Sequence, residues 1–433
     1  MSKVRTISGF PEWLPEQRLA ELKVIETIRS AYESHGFTPI ETPAVELLGT
    51  LKSEGEIQKQ IYALHTAQGE RKEDSEKTIA LHFDLTVPFA RYVATHFNNL
   101  IFPFKRYQLQ KVWRGERAQA GRFREFYQFD IDTVAVDSLP LCHDAEFLSL
   151  IEKIFTKLDL GKIYVKVNNR KILKGLYQAL GIESEAQAAA ITVVDKIDKI
   201  GAEQVQAQLV SEVGLTAQVA EKIVSYTGIK CSAQQAEQTL TGLEVSDELF
   251  QEGMKEILEV FSFLTPGAKE VVKLDLSLAR GLDYYSGTIF ETLLIDNPGF
   301  GSVCGGGRYE DLASRFIKKK LPGVGMSIGL TRLMAHAFEN NLLNLDQKSP
   351  TKALVAVYNE EQRTQCIELA EQLRGNGVTT DIFHKSPKLG KQIEYAMKKG
   401  IEWVVFISEN GKIEAKNLIE RTQEEIDPAS WSA

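Results

Sequence analysis

Arg114-Gly115-Glu116-Arg117-Ala118-Gln119-Ala120-Gly121-Arg122-Phe123-Arg124-Glu125-Phe126-Tyr127-Gln128-Phe129-Asp130-Ile131-Asp132 is the stretch on which the fold turns. With the two-residue period of a strand, Arg124, Gln128, Asp130 and Asp132 share one face and Phe123, Tyr127, Phe129 and Ile131 the other. The run before it, Lys105 to Glu116, suits a second strand with Arg106, Gln108, Gln110, Arg114 and Glu116 on one side. Arg117 to Gly121 then closes a hairpin. A solvated hairpin is one reading of this pair, but exposed strands seldom set so many arginines opposite an aromatic face. The other is a polar floor built for a ligand.

A second cluster lies far downstream. Arg280-Gly281-Leu282-Asp283-Tyr284-Tyr285 precedes a strand-like run and then Gly305-Gly306-Gly307-Arg308-Tyr309, which reads as a glycine-rich turn. Taken alone, it is either a sheet edge followed by a turn or a site for a small, polar, anionic substrate, where backbone can approach closely.

Together these stretches resemble the class II aminoacyl-tRNA synthetases. Trp113 to Asp132 is similar to motif 2, and Gly323-Val324-Gly325-Met326-Ser327-Ile328-Gly329-Leu330-Thr331-Arg332-Leu333 to motif 3. Arg280 to Tyr285 and Ser302 to Tyr309 resemble the two signatures of histidyl-tRNA synthetases. Motif 1 is fainter: an amphipathic run Leu19, Leu22, Ile25, Ile28, Tyr32 ending at Gly36, then Phe37 to Pro43.

The resemblance implies an α+β fold. Its parts are a class II synthetase catalytic core with a mixed, mainly antiparallel sheet flanked by helices, a helical insertion, and a C-terminal α/β anticodon-binding domain. It implies activation of L-histidine by ATP with Mg2+ to histidyl-adenylate, then transfer to the 3′ end of tRNA(His). Arg114 would hold the α-phosphate, Arg122 and Arg332 the outer phosphates, and Arg280 the reacting carboxylate and α-phosphate; Arg280 and Arg114 are the catalytic candidates. Arginines suit this work because their fixed donors match phosphate oxygens and offset the charge that develops. Asp84, Leu85, Thr86, Arg114, Gln128, Asp132, Arg280, Tyr284 and Tyr285 would hold the histidine, with Gly305 to Gly307 as the pocket floor. Carboxylates, a glutamine oxygen and tyrosine hydroxyls can satisfy an ammonium and an imidazole. Arg117 and Gln119 are the candidates for reading the tRNA acceptor end. A site of this polarity rejects analogues without a second sieve, so no editing domain is expected. Three positions depart from the family pattern: His82, Ser286 and Thr331, the last standing where glutamate is frequent.

Composition agrees. A chain of 433 residues exceeds one ordinary core, and 43% hydrophobic content supports folding. No apolar run approaches the roughly 20 residues of a membrane span, and no signal-peptide core follows the N-terminus, so a cytoplasmic protein without membrane contact is expected. Cys142, Cys231, Cys304 and Cys366 are too scattered for a metal knuckle, and no metal site is expected. A net charge of −8 argues against indiscriminate nucleic-acid binding and leaves tRNA to local basic patches.

Residues 1–170 are expected to be the first part of the catalytic core, 171–264 a helical insertion, 265–338 the second part of the core, 339–350 a linker and 351–433 the anticodon-binding domain. The insertion is either a packing module or a clamp on the acceptor arm, and Lys196, Lys199 and Lys230 are too scattered to decide. Lys385, Lys388, Lys391, Lys398 and Lys399 in the last domain could meet phosphates or simply be solvated. A homodimer across motif 1 is expected. The competing reading is a non-charging, synthetase-like regulatory subunit of ATP phosphoribosyltransferase, whose kind generally lacks the last domain and erodes the motifs.

Overall fold

A computed structural model of the chain describes residues 5–51, 60–67, 77–119, 121–279, 285–311 and 313–433. It divides into two compact units, Met1–Pro11 with Thr27–Glu339, and Glu12–Glu26 with Asn340–Ala433.

The first unit is built on a sheet of nine described strands. Their order is Thr38–Pro39, Phe104–Trp113, Glu125–Val134, Gly323–Ile328, Cys304–Tyr309, Tyr285–Leu294, Ile163–Asn169, Val272–Asp275 and Lys230–Ser232. All neighbours pair antiparallel except the outermost pair at Thr38–Pro39 and the pair Ile163–Asn169 with Val272–Asp275. The hairpin read from sequence is the long antiparallel pair, with Arg106 opposite Asp132, Gln108 opposite Asp130 and Gln110 opposite Gln128. Its strands stop at Trp113 and resume at Glu125, so the loop is longer than Arg117 to Gly121, and Arg114, Glu116 and Arg124 belong to the loop. Within the stretch Phe37 to Pro43, Thr38–Pro39 forms a strand.

Gly305 to Gly307 do not form a turn. They lie inside the central strand Cys304–Tyr309, paired on both sides. A Cβ on Gly306 would fall 2.2 Å from the Gly325 carbonyl oxygen, and one on Gly307 2.7 Å from that of Thr288. Glycine in a strand interior here permits close backbone approach rather than chain reversal. Arg308 leaves this strand toward the helix Cys142–Leu158 and donates from Nε to both oxygens of the buried Asp144, at 3.1 Å each. That helix follows Pro140 and buries Phe147, Leu148, Ile151, Ile154 and Phe155 on one stripe, then ends at Asp159 in the left-handed region. The helix fastens the sheet from behind.

Between the two parts of the sheet run eight α-helices among the described residues, from Arg170–Ala179 to Pro266–Val271, and one 3-10 turn, Ala233–Gln235. Caps set several starts: Asn169 accepts from the Lys171 N–H, Asp247 from Phe250 and Thr265 from Ala268. Arg170–Ala179 and Glu248–Ser262 cross at a pair of glycines, with a Cβ on Gly175 falling 2.3 Å from the Phe250 nitrogen and one on Gly253 2.7 Å from the Ile172 nitrogen. The stretch read as helical throughout also contains a strand. Lys230–Ser232 pairs antiparallel with Val272–Asp275 and forms the edge of the large sheet. Three residues are too short to show a two-residue period.

The second unit has a five-stranded sheet in the order Thr380–Ile382, Ala353–Ala356, Trp403–Ile407, Ile413–Asn417 and Gln423–Glu425. The first three are parallel and the last two antiparallel; those last two were not anticipated from sequence. Helix Arg363–Gly375 packs Leu369 and Leu373 near Val355 and Val405 on one face, and Leu389–Lys399 packs Ala396 near Leu354 and Val404 on the other. Burial of both faces explains the near-continuous apolar strands.

Candidate functional site

Over the middle of the large sheet lies a cleft of about 450 Å³. Successive strand residues alternate faces, so Phe126, Gln128, Asp130 and Asp132 of one strand all line it, as does Ser327, opposite Asp130 on the neighbouring strand. Gly305 and Gly306 form part of the lining where the backbone itself is the surface.

The structure brings eight of the expected residues to this cleft: Asp84, Thr86, Arg114, Arg122, Gln128, Asp132, Tyr285 and Arg332. Leu85 is fully buried and does not line it. Arg117 and Gln119 are exposed on the motif 2 loop, outside the lining. Arg280 and Tyr284 lie outside the described residues.

Three arginines line the cleft. Arg114 is held by a bond from Nε to the Phe83 carbonyl, 3.0 Å, and by the face of Phe126 at 5.1 Å. Arg122 stands 3.4 Å from Glu116. Arg332 lies over the Phe300 ring at 5.0 Å and donates to the Phe300 carbonyl. Burial, and then the neighbouring charge of Arg122, pull the Arg332 pKa below its ordinary value. Cations held this close favour an anion between them. Thr331 accepts from the Tyr127 N–H at 2.8 Å, so this departure from the family pattern ties the motif 3 helix to the motif 2 strand. His82 lies 2.7 Å from the Lys111 carbonyl oxygen, and burial lowers its pKa toward a neutral ring.

Buried acids line it as well. Asp84 accepts from the Val87 N–H at 3.2 Å at the start of helix Thr86–His96. Gln128 donates to Ser327 Oγ at 2.7 Å, and Tyr309 donates to Asp132 at 3.0 Å. Asp132 also pairs with the buried Arg106 at 2.5 Å. Burial nonetheless outweighs these partners and raises Asp84 and Asp132 to about 7 and Asp130 to about 6. Gln128 Oε1 and Asp130 Oδ1 are buried with no hydrogen-bond partner among the described residues. Orphaned acceptors are costly unless something supplies donors, and an ammonium or a ring N–H does so.

Among the lining residues that the sequence reading did not assign as ligands are Asp130, Ser327 and Glu291. Asp130 carried a signal, since it shares the period of Gln128 and Asp132. Glu291 is a lone acid in the run Ile289-Phe290-Glu291-Thr292-Leu293-Leu294, and burial raises it to about 7. Among the described residues no group of three or more His, Cys, Asp or Glu could hold a metal ion.

A family model described as histidyl-tRNA synthetase matches residues 9–333, and one described as anticodon binding domain matches residues 352–431. A histidine–tRNA ligase of Thermobifida fusca (strain YX) is 46% identical, covering 98% of this chain and 97% of the relative. Another, from Stenotrophomonas maltophilia (strain K279a), is 43% identical over 98% of this chain and 96% of its own length. The crystal structure of histidyl-tRNA synthetase from Nostoc sp. PCC 7120 superposes with a TM-score of 0.88 at 37% identity, covering 98% of this chain and 97% of that one. A motif 2 hairpin, a motif 3 strand and helix, the cleft between them and relatives matched along nearly their whole length lead to one conclusion: the chain belongs to the histidyl-tRNA synthetase family.

Proposed function

We propose that this chain activates L-histidine with ATP and transfers the histidyl group to tRNA(His). The observation that carries it is one cleft lined by three arginines, Arg114, Arg122 and Arg332, and by the buried acceptors Asp84, Gln128, Asp130 and Asp132. In the first step a carboxylate oxygen of histidine forms a bond to the α-phosphorus, the bond from that phosphorus to the β-phosphate oxygen breaks, and pyrophosphate leaves. Arg114 takes the α-phosphate oxygens, and Arg122 and Arg332 the outer phosphates, offsetting the repulsion between two anions. Arg280 reaches the reacting carboxylate and the α-phosphate in this reading. Asp84, Gln128, Asp132, Tyr284 and Tyr285 hold the ammonium and imidazole, joined by Asp130, while Thr86 lines the pocket and Leu85 backs it. In the second step a hydroxyl of the 3′-terminal adenosine attacks the carbonyl carbon, loses its proton and displaces AMP.

Magnesium on the ATP phosphates would further offset their charge, and Glu116 and Glu291 in the cleft offer the carboxylate oxygens a hard cation takes. Arg117 and Gln119, exposed on the motif 2 loop, are proposed to meet the acceptor end. Residues 1–170 and 265–338 form the catalytic core in this reading, 171–264 the insertion, 339–350 the linker and 351–433 the anticodon-binding domain. A cytoplasmic homodimer completes it, tested by light scattering at micromolar concentration; a monomer would exclude that assembly.

The deciding measurement is ATP–pyrophosphate exchange with each of the twenty amino acids, without tRNA. Exchange with histidine alone supports the activation step; none with any amino acid, in folded protein, overturns it.

A further inference from the structure

The motif 2 loop, residues 114–124, brings Glu116, Gly121, Arg122 and Phe123 to the cleft and is braced both from within the hairpin, where Gln119 and Arg122 exchange backbone bonds, and from outside it. Inside the hairpin, Arg124 Nε donates to the Glu116 carbonyl at 3.0 Å and the Arg114 N–H to the Arg124 carbonyl at 2.9 Å. From outside, the Gly115 N–H donates to the Gln60 carbonyl at 2.8 Å. A further backbone brace comes from the N-terminal segment. The Gly9 carbonyl accepts from the N–H groups of both Arg124, 2.7 Å, and Glu125, 3.2 Å, at the point where the loop rejoins its strand.

Gly9 is there for two reasons. Its φ is +84°, which L side chains rarely adopt, and a Cβ would fall 3.0 Å from Arg124 Cγ and 3.1 Å from Ala118 Cβ. The segment turns back on itself through the Phe10 N–H to the Ile7 carbonyl, 3.2 Å, which sets the Gly9 carbonyl against the loop. Ala118 lies near the crown of the loop and Arg124 at its foot, so this one glycine spans it.

We infer that the turn Ile7–Phe10 is a strap and Gly9 a positioning residue, fixing the motif 2 loop in the setting that grips ATP. The inference rests on the synthetase reading. A bulkier residue at 9 pushes Ala118 and Arg124 outward and withdraws Arg122 and Glu116 from the phosphates, leaving the histidine acceptors on the strands in place. Misplacement by about 1 Å can cost up to about a hundredfold in rate, so a tenfold effect on ATP use is the scale expected.

The experiment is histidine-dependent ATP–pyrophosphate exchange on the full chain carrying Gly9→Ala, with Gly36→Ala as control and thermal unfolding measured on both. Gly36 has the same left-handed backbone, φ +77°, but nothing within 4 Å of an added Cβ. Both variants should lose Tm, and only Gly9→Ala should raise the KM for ATP roughly tenfold, with the KM for histidine held within about twofold. Equal ATP KM in the two variants overturns the strap. Should Gly9→Ala not fold, Ala118→Val presses on Gly9 from the loop side; the same rise in ATP KM is expected, and a wild-type KM sinks the inference. A wild-type chain with no exchange at all would sink the synthetase reading itself, an outcome distinct from either.

Discussion

Arg106 has no exposed surface, and its charge is met by Asp132 and by the face of Phe89 at 4.3 Å. Removing one partner of a buried pair strands the other, so Arg106→Met should cost about 3 to 5 kcal/mol in denaturant unfolding. Arg114→Ala tests catalysis at the same scale: loss of a donor to developing charge typically lowers kcat by about 10² to 10³, read in pyrophosphate exchange. The three buried aspartates of the cleft make a pH prediction. Burial raises Asp84 and Asp132 to about 7 and Asp130 to about 6, above the value of about 4 in an unfolded chain. The folded protein therefore binds more protons than the unfolded one between those limits. Their contribution to stability is fully present below about pH 4, falls as pH rises and levels off above about 7. Histidine's ammonium favours the ionised forms, so its binding should release protons at pH 6, and its affinity should rise from pH 6 to 8; calorimetry in buffers of different ionisation enthalpy reads both.

At the scale of elements, the central glycine strand separates what sequence could reveal from what it could not. Gly306→Ala places a methyl 2.2 Å from the Gly325 carbonyl oxygen, whereas Gly305→Ala meets nothing closer than 3.5 Å. Gly306→Ala should lose about 1 to 3 kcal/mol or more in urea unfolding, and Gly305→Ala much less. Three glycines in a row carry no period and no β propensity, so the reading as a turn followed local preference while inter-strand distance decided the outcome. The hairpin was legible because ten residues on each side kept the two-residue period against a buried aromatic face. Asp130 was visible on the correct face but blended into the run of acids, and Glu291 became a lining residue only once Tyr285–Leu294 took its place beside the glycine strand. The small strands Lys230–Ser232 and Gln423–Glu425 left no trace because pairing partners, not their own residues, hold them.

At the scale of the molecule, a net charge of −8 leaves contact with an acidic polymer to local basic groups, and Lys388 and Lys391 of the C-terminal domain test whether they supply it. Lys388→Ala with Lys391→Ala should weaken tRNA(His) binding and flatten its salt dependence by nearly one unit of slope per lost phosphate contact, while pyrophosphate exchange stays at the wild-type rate. The insertion behaves differently from a bolted-on module. Its strand Lys230–Ser232 shares backbone hydrogen bonds with Val272–Asp275, the segment by which the chain returns to the core, and Lys166 of the sheet reaches Asp198 of the insertion at 2.7 Å. Excision of residues 171–264 would strip that edge and bare the strand beneath it. Heating should therefore melt insertion and sheet in one cooperative transition, and hydrogen exchange at Lys230–Ser232 should track the core rather than the helices on either side.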